Sequence, residues 1–155
     1  YQNLLLRSFR EAHRVLRPGG KATVAFHSSS AQIWNALQEA FKQAGFGVTC
    51  ASVLDKTQGS FKQVTCTGAV RGDPLILLTK NLRRSNGLVM GVWRVTEDLL
   101  RQAATSKDPV ETTPQRIYSR LAAHYVTRHQ EVPIGAGDFY RQFSLRRTTH
   151  GHPDP

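Results

Sequence analysis

Within six residues, Leu16-Arg17-Pro18-Gly19-Gly20-Lys21, this chain must end a helix and start a strand. Upstream, Leu5, Phe9, Ala12 and Leu16 recur at spacings of three and four, which predicts a helix over residues 1–16 with Arg7, Arg10, Glu11 and Arg14 on its other side. Pro18 pushes the residue before it out of the α region and stops that helix. Gly19 and Gly20 then permit the reversal. The run "KATVAF", Lys21 to Phe26, is nearly continuous in apolar residues, as in a strand covered on both faces. His27 and Ser28 to Ser30 form the loop at its carboxyl end, and any of the three serines can cap the next helix.

That helix is expected over Ala31 to Ala44, with Ile33, Leu37, Phe41 and Ala44 as its inner stripe and Trp34 alongside. Gly45 suits the left-handed position that follows a helix. "FGVTCASVL", Phe46 to Leu54, is the next strand, a long connection runs from Asp55 to Pro74, and "LILLTK", Leu75 to Lys80, is a third strand. No helical pattern separates the last two strands, so they are expected to pair antiparallel. Alternating helices and strands argue for an α/β layer. Three strands alone leave an edge and much apolar surface uncovered, so something else is expected to pair with the first strand.

After Lys80 the composition changes. "NLRRSNGLVMGVW" is irregular, Val95, Leu99 and Ala103 suggest a helix, and "TSKDPVETTP" reads as a linker. Thr113 followed by Pro114 is a cap and first-turn proline, and Ile117, Leu121 and Tyr125 line one face of the helix it starts. A short helix is expected over Gly137 to Leu145, with "RRTTHGHPDP" as a frayed end. The organisation expected is therefore an α/β part over residues 1–80 and a mostly helical extension over residues 81–155. Trp93, Tyr118, Tyr125 and Phe139 are expected to be packing residues.

Lys plus Arg number 21 against 11 acids, a formal net charge of +10, which favours polyanionic partners such as nucleic acid. No apolar run approaches the roughly 20 residues of a membrane span. The start is charged within seven residues, carries no cleavage-site pattern and has no initiating Met, which fits a cytoplasmic protein whose sequence begins inside a longer chain. Cys50 and Cys66 lack zinc-ligand spacing and read as reduced core thiols.

Two stretches carry a resemblance. "EAHRVLRPGGKATVAFH" with "WNALQEAFKQAGF" is similar to the later half of class I S-adenosylmethionine-dependent methyltransferases. In that fold a helix ending in Arg-Val-Leu-x-Pro-Gly-Gly leads into the fifth strand, a helix ending in Ala-Gly-Phe leads into the sixth, and a seventh is inserted antiparallel between them. "KTQGSFKQVTCTGAVRGDPLILL" and "EVPIGAGDFYRQF", Glu131 to Phe143, resemble adenine-specific DNA methylases. The resemblance implies the last three strands of a Rossmann-like sheet, with S-adenosylmethionine as cofactor and the exocyclic amine of adenine in DNA as methyl acceptor. It also implies a missing N-terminal half. The Gly pairs 45/47 and 135/137 do not follow a strand that opens a helix, and no Asp-Pro is followed by a second Pro and an aromatic. The main cofactor loop and catalytic motif are thus expected on other polypeptide, and the chain alone is expected to be inactive.

In that family the loop between the last two strands faces the target base. Phe61 either stacks on a flipped nucleotide or anchors the loop in the core. Lys56, Lys62 and Arg71 are either phosphate contacts or solvated charges, and Gln58 and Gln63 can read a base edge. His27 and Ser28, at a strand's carboxyl end, lie where α/β sheets bind ligands, although a hydrogen-bonded structural role is the commoner one for such a His. Arg83-Arg84 and Arg146-Arg147 suit a DNA backbone channel or an ordinary surface. His150 and His152 lack further ligands, so no metal is expected. The rival readings are a methyltransferase for RNA or a small molecule, and a non-catalytic nucleic-acid-binding module that kept the half-sheet.

Overall fold

The computed structural model describes residues 2–54, 72–81, 90–106 and 108–149. The elements are α1 (Gln2–Val15), β1 (Lys21–Ala25), α2 (Ala31–Gln43), β2 (Phe46–Leu54), β3 (Asp73–Lys80), α3 (Val92–Ala103), a 3-10 turn (Pro109–Thr112), α4 (Pro114–Thr127) and α5 (Ala136–Thr149). The three strands form one sheet in the order β1-β3-β2. β3 lies antiparallel to both neighbours, with Val24 opposite Ile76 on one side and Ala51 opposite Ile76 on the other. β1 and β2 therefore run parallel to each other without touching. A bulge between Val48 and Cys50 adds one residue to β2, and Thr49 and Thr79 share a hydroxyl hydrogen bond of 2.6 Å there.

The Pro-Gly-Gly junction folds as its residues require. Gly19 has φ +69°, a conformation that costs an L side chain energy, and a Cβ on Gly20 would lie 2.7 Å from the Arg17 carbonyl. Lys80 Nζ, at the end of β3, donates to the carbonyls of His13 and Leu16 at 2.6 Å each. It thereby satisfies orphan carbonyls and complements the negative end of the α1 dipole. Gly45 (φ +89°) ends α2 where a Cβ would meet His13 Nε2 at 2.9 Å.

α1, α2 and α4 cover one face of the sheet through Ile76, Leu78, Phe46 and Val48, and a single buried cluster continues from these residues through Ile117, Leu121 and Val126 to Phe139 and Phe143. Tyr118, Tyr125 and Phe139 are buried, and Trp93 stacks on Phe139 with centroids 5.7 Å apart, as packing residues should. Several expectations change. Trp34, not Ile33, points inward on α2: Ile33 is exposed, while the Trp34 indole N–H finds the Ser28 carbonyl at 2.9 Å. β1 is covered on one face only; Ala22, Val24 and Phe26 are half-buried while Lys21, Thr23 and Ala25 are exposed. β3 starts at Asp73, because Pro74 lends its carbonyl to Phe26 N at 3.0 Å and so extends the ladder. α5 runs from Ala136 to Thr149, through residues expected to fray. Cys50 is exposed rather than in the core, since it faces away from the helices, and Cys66 lies outside the described residues.

Candidate functional site at the carboxyl edge of the sheet

β1 and β2 deliver their carboxyl ends to the edge where β3 begins, and antiparallel pairing sets His27, just past β1, beside Asp73. His27 Nδ1 lies 3.1 Å from Asp73 Oδ1, with the His27 side chain 50% exposed and that of Asp73 12%. The contact lies within ion-pair distance and places the imidazole beside the Asp73 carboxylate. The arrangement leaves a half-exposed imidazole at the rim, facing the space outside the strand ends.

The adjoining loop is held by hydrogen bonds. Ser30 N donates to Ser28 Oγ at 3.1 Å, and Ser30 Oγ caps α2 by accepting from Ile33 N at 3.4 Å. Ser29 O accepts from Ala136 N at 2.8 Å, which ties the loop to the start of α5. Residues 130–136 are held by α2 and α4. Asn35 Oδ1 accepts from Val132 N at 2.8 Å, Gln38 Nε2 donates to the Gln130 carbonyl at 3.0 Å, and Tyr118 OH donates to the Ile134 carbonyl at 3.1 Å. The "VPIGAGDFY" stretch and the "FHSSS" stretch, far apart in sequence, thus form one wall. A shallow cavity of about 450 Å³ opens against it, lined by Ala31, Trp93, Pro133, Ile134, Gly135 and Asp138 among others.

On the other side of Asp73 lies a buried ion network. Arg116 donates through Nε and Nη2 to Glu111 Oε1 at 3.1 and 2.9 Å, and Arg120 pairs with Glu111 Oε2. Both Glu111 and Arg116 are buried. The guanidinium sits against Gly72 (φ +81°), where a Cβ would come within 2.5 Å of Arg116 Nη1 and 2.6 Å of Val53 Cγ1. The network therefore fixes the foot of β3.

His27 and Ser28 follow β1 at this edge. Lys56, Gln58, Phe61, Lys62, Gln63 and Arg71 fall outside the described residues, as do Arg83, Arg84, His150 and His152. Arg146 and Arg147 lie on α5, where Arg146 rests 4.3 Å above the Trp93 ring. Asp73, Glu111 and Arg116 escaped the sequence reading. Asp73 looked like the end of a connection, and Glu111 sat inside an apparent linker; only Thr113-Pro114, which positions Arg116 on the first turn of α4, was visible. Among the described residues no three His, Cys, Asp or Glu side chains gather, and no helix is long and apolar enough to cross a membrane. Comparison with family models, with curated proteins and with solved structures gives no match.

Proposed function

We propose that this chain is the last-three-strand half of an S-adenosylmethionine-dependent methyltransferase acting on the exocyclic amine of adenine in DNA. The observation that carries the reading is the strand order β1-β3-β2 with β3 antiparallel to both neighbours. Consecutive strands usually become neighbours. Here the chain leaves a slot between two parallel strands and fills it from the opposite direction, the arrangement that the Arg-Val-Leu-x-Pro-Gly-Gly resemblance implies.

The outer edge of β1 supports the same reading. Among the described residues β1 pairs with β3 alone. α1 buries no residue completely, and Leu4 and Val15 stand 67% and 69% exposed. Their offset of eleven positions makes about three helical turns, so both occupy one face. That face is distinct from the one that carries Phe9, whose ring packs on Phe41 of α2. A further strand beside β1 and a helix beside α1 would cover both surfaces.

Among the described residues no Gly-rich loop joins a strand to the helix that follows it, and no methyl-transfer step is assigned to this chain. Its part is to shape the acceptor side: the hydrogen-bonded Ser28–Ser30 wall, and His27, beside Asp73, as a polar group facing the substrate. The test is calorimetric titration with S-adenosylmethionine. This chain gives no binding heat, whereas a polypeptide extended upstream to include a Gly-rich loop binds one equivalent. Binding by the 155 residues alone overturns the reading. An extended chain that still fails to bind points instead to a nucleic-acid-binding module.

A further inference from the structure

α1 has three faces. Leu5, Phe9, Ala12 and Leu16 pack onto the core, and Leu4 and Val15 form the bare apolar face. Arg7, Arg10 and Arg14 form the third and are all exposed. At 3.6 residues per turn these three fall within about 60° of arc and span about 10 Å of helix. Arg17, exposed just beyond the helix end, prolongs the line toward the Pro-Gly-Gly turn. The only acid in α1 is Glu11, which holds Arg14 through Nε at 2.8 Å. On the neighbouring α2, Glu39 is already paired with Lys42.

We propose that the exposed arginine face of α1 binds the phosphodiester backbone of a nucleic acid, at a surface separate from the carboxyl edge of the sheet. The residue type argues for it: all four cations are Arg, whose planar fork takes phosphate oxygens in pairs and is less strongly hydrated than an ammonium. The spacing argues for it as well. Duplex DNA carries one charge per about 1.7 Å of axis, so 10 Å of rigid helix meets about six phosphate charges. The face holds no exposed apolar side chain to insert among lipid tails, since Leu4 and Val15 look elsewhere. The net charge of +10 supplies the long-range attraction. The inference stands on α1 alone and holds whether or not the chain takes part in methyl transfer.

Fluorescence anisotropy with a labelled 20-base-pair duplex tests it, with the salt dependence of affinity as the readout. Each phosphate contact contributes about 0.9 to the slope of log affinity against log salt, so Arg7→Gln/Arg10→Gln/Arg14→Gln lowers the slope by about 2.7. The variant then loses about 40-fold less affinity than the parent chain between 50 and 200 mM salt. A control, Arg94→Gln/Arg101→Gln/Arg141→Gln, removes three exposed arginines from α3 and α5 and reaches the same formal net charge of +7, down from +10. It keeps most of the slope. Equal slopes for the two triple variants overturn the proposal, because bulk charge then accounts for binding. Loss of binding to phosphatidylserine vesicles with duplex binding unchanged overturns it too, by assigning the face to a membrane. Should far-UV circular dichroism show the triple variant unfolded, the single variants are used, each expected to lower the slope by about 0.9.

Discussion

Glu111 shows at the scale of single residues what sequence pattern cannot carry. It lies in a polar, Pro-containing stretch, yet its carboxylate is buried and answers two guanidiniums, those of Arg116 and Arg120. Removing one partner of a buried pair leaves an uncompensated charge and costs about 3–5 kcal/mol. Glu111→Gln is therefore expected to lower unfolding stability by about that amount in urea titration, while Glu39→Gln, whose pair with Lys42 is exposed, shifts it by less than about 1 kcal/mol. His124 on α4 gives a pH signature. Burial, and then the Arg128 guanidinium 3.1 Å from Nδ1, hold its pKa below the ordinary 6.5, with Asp98 opposing weakly. The unfolded chain then binds the proton more readily than the folded one, so this contribution is whole above pH 6.5 and is lost as acid is added below it. His124→Gln should flatten the fall in melting temperature below pH 6.5; an unchanged profile would rule the group out as its source. Trp34 and Ile33 were inseparable by spacing because both lie three or four residues from Leu37. The choice was made by the Ser28 carbonyl that accepts the indole N–H, a contact no periodicity encodes.

Whole elements were far more legible. The first helix, the Pro-Gly-Gly stop, β1, α2 and the Gly45 turn were readable because each is specified locally, by an apolar period together with a stop or cap residue. The 3-10 turn and the full length of α5 were not. The first depends on Asp108 accepting from Val110 N at 2.9 Å, and the second on Phe139 and Phe143 reaching a core that is distant in sequence. Elements also differ in how firmly they are held. α4 buries residues from Arg116 to Val126 along its length, whereas α1 buries none and owes its carboxyl end to Lys80. Local opening should follow that difference. Hydrogen exchange read by mass spectrometry is expected to label α1 well before α4, and Lys80→Met should hasten α1 while leaving α4 unchanged. Equal protection of the two helices would mean that α1 opens only with the whole molecule.

At the scale of the molecule, an unbroken apolar cluster joins the strands to the helices that follow, so residues after Lys80 stabilise the sheet that precedes them. The sequence shows the period of each helix but not which face of the sheet it covers; α1, α2 and α4 share one face, and the Lys21, Thr23 and Ala25 side of β1 is bare. That asymmetry could not be read from "KATVAF", because a continuous apolar run looks the same whether one layer or two lies against it. The central strand carries one more consequence. Among the described residues β1 and β2 bond only through β3, and β3 is the last of the three in chain order. During synthesis β1 and β2 are therefore both finished before the strand that bridges them exists. Eight residues, Asp73 to Lys80, join them from the opposite direction, and a chain cut short ahead of them leaves the facing edges of both strands open to other partners.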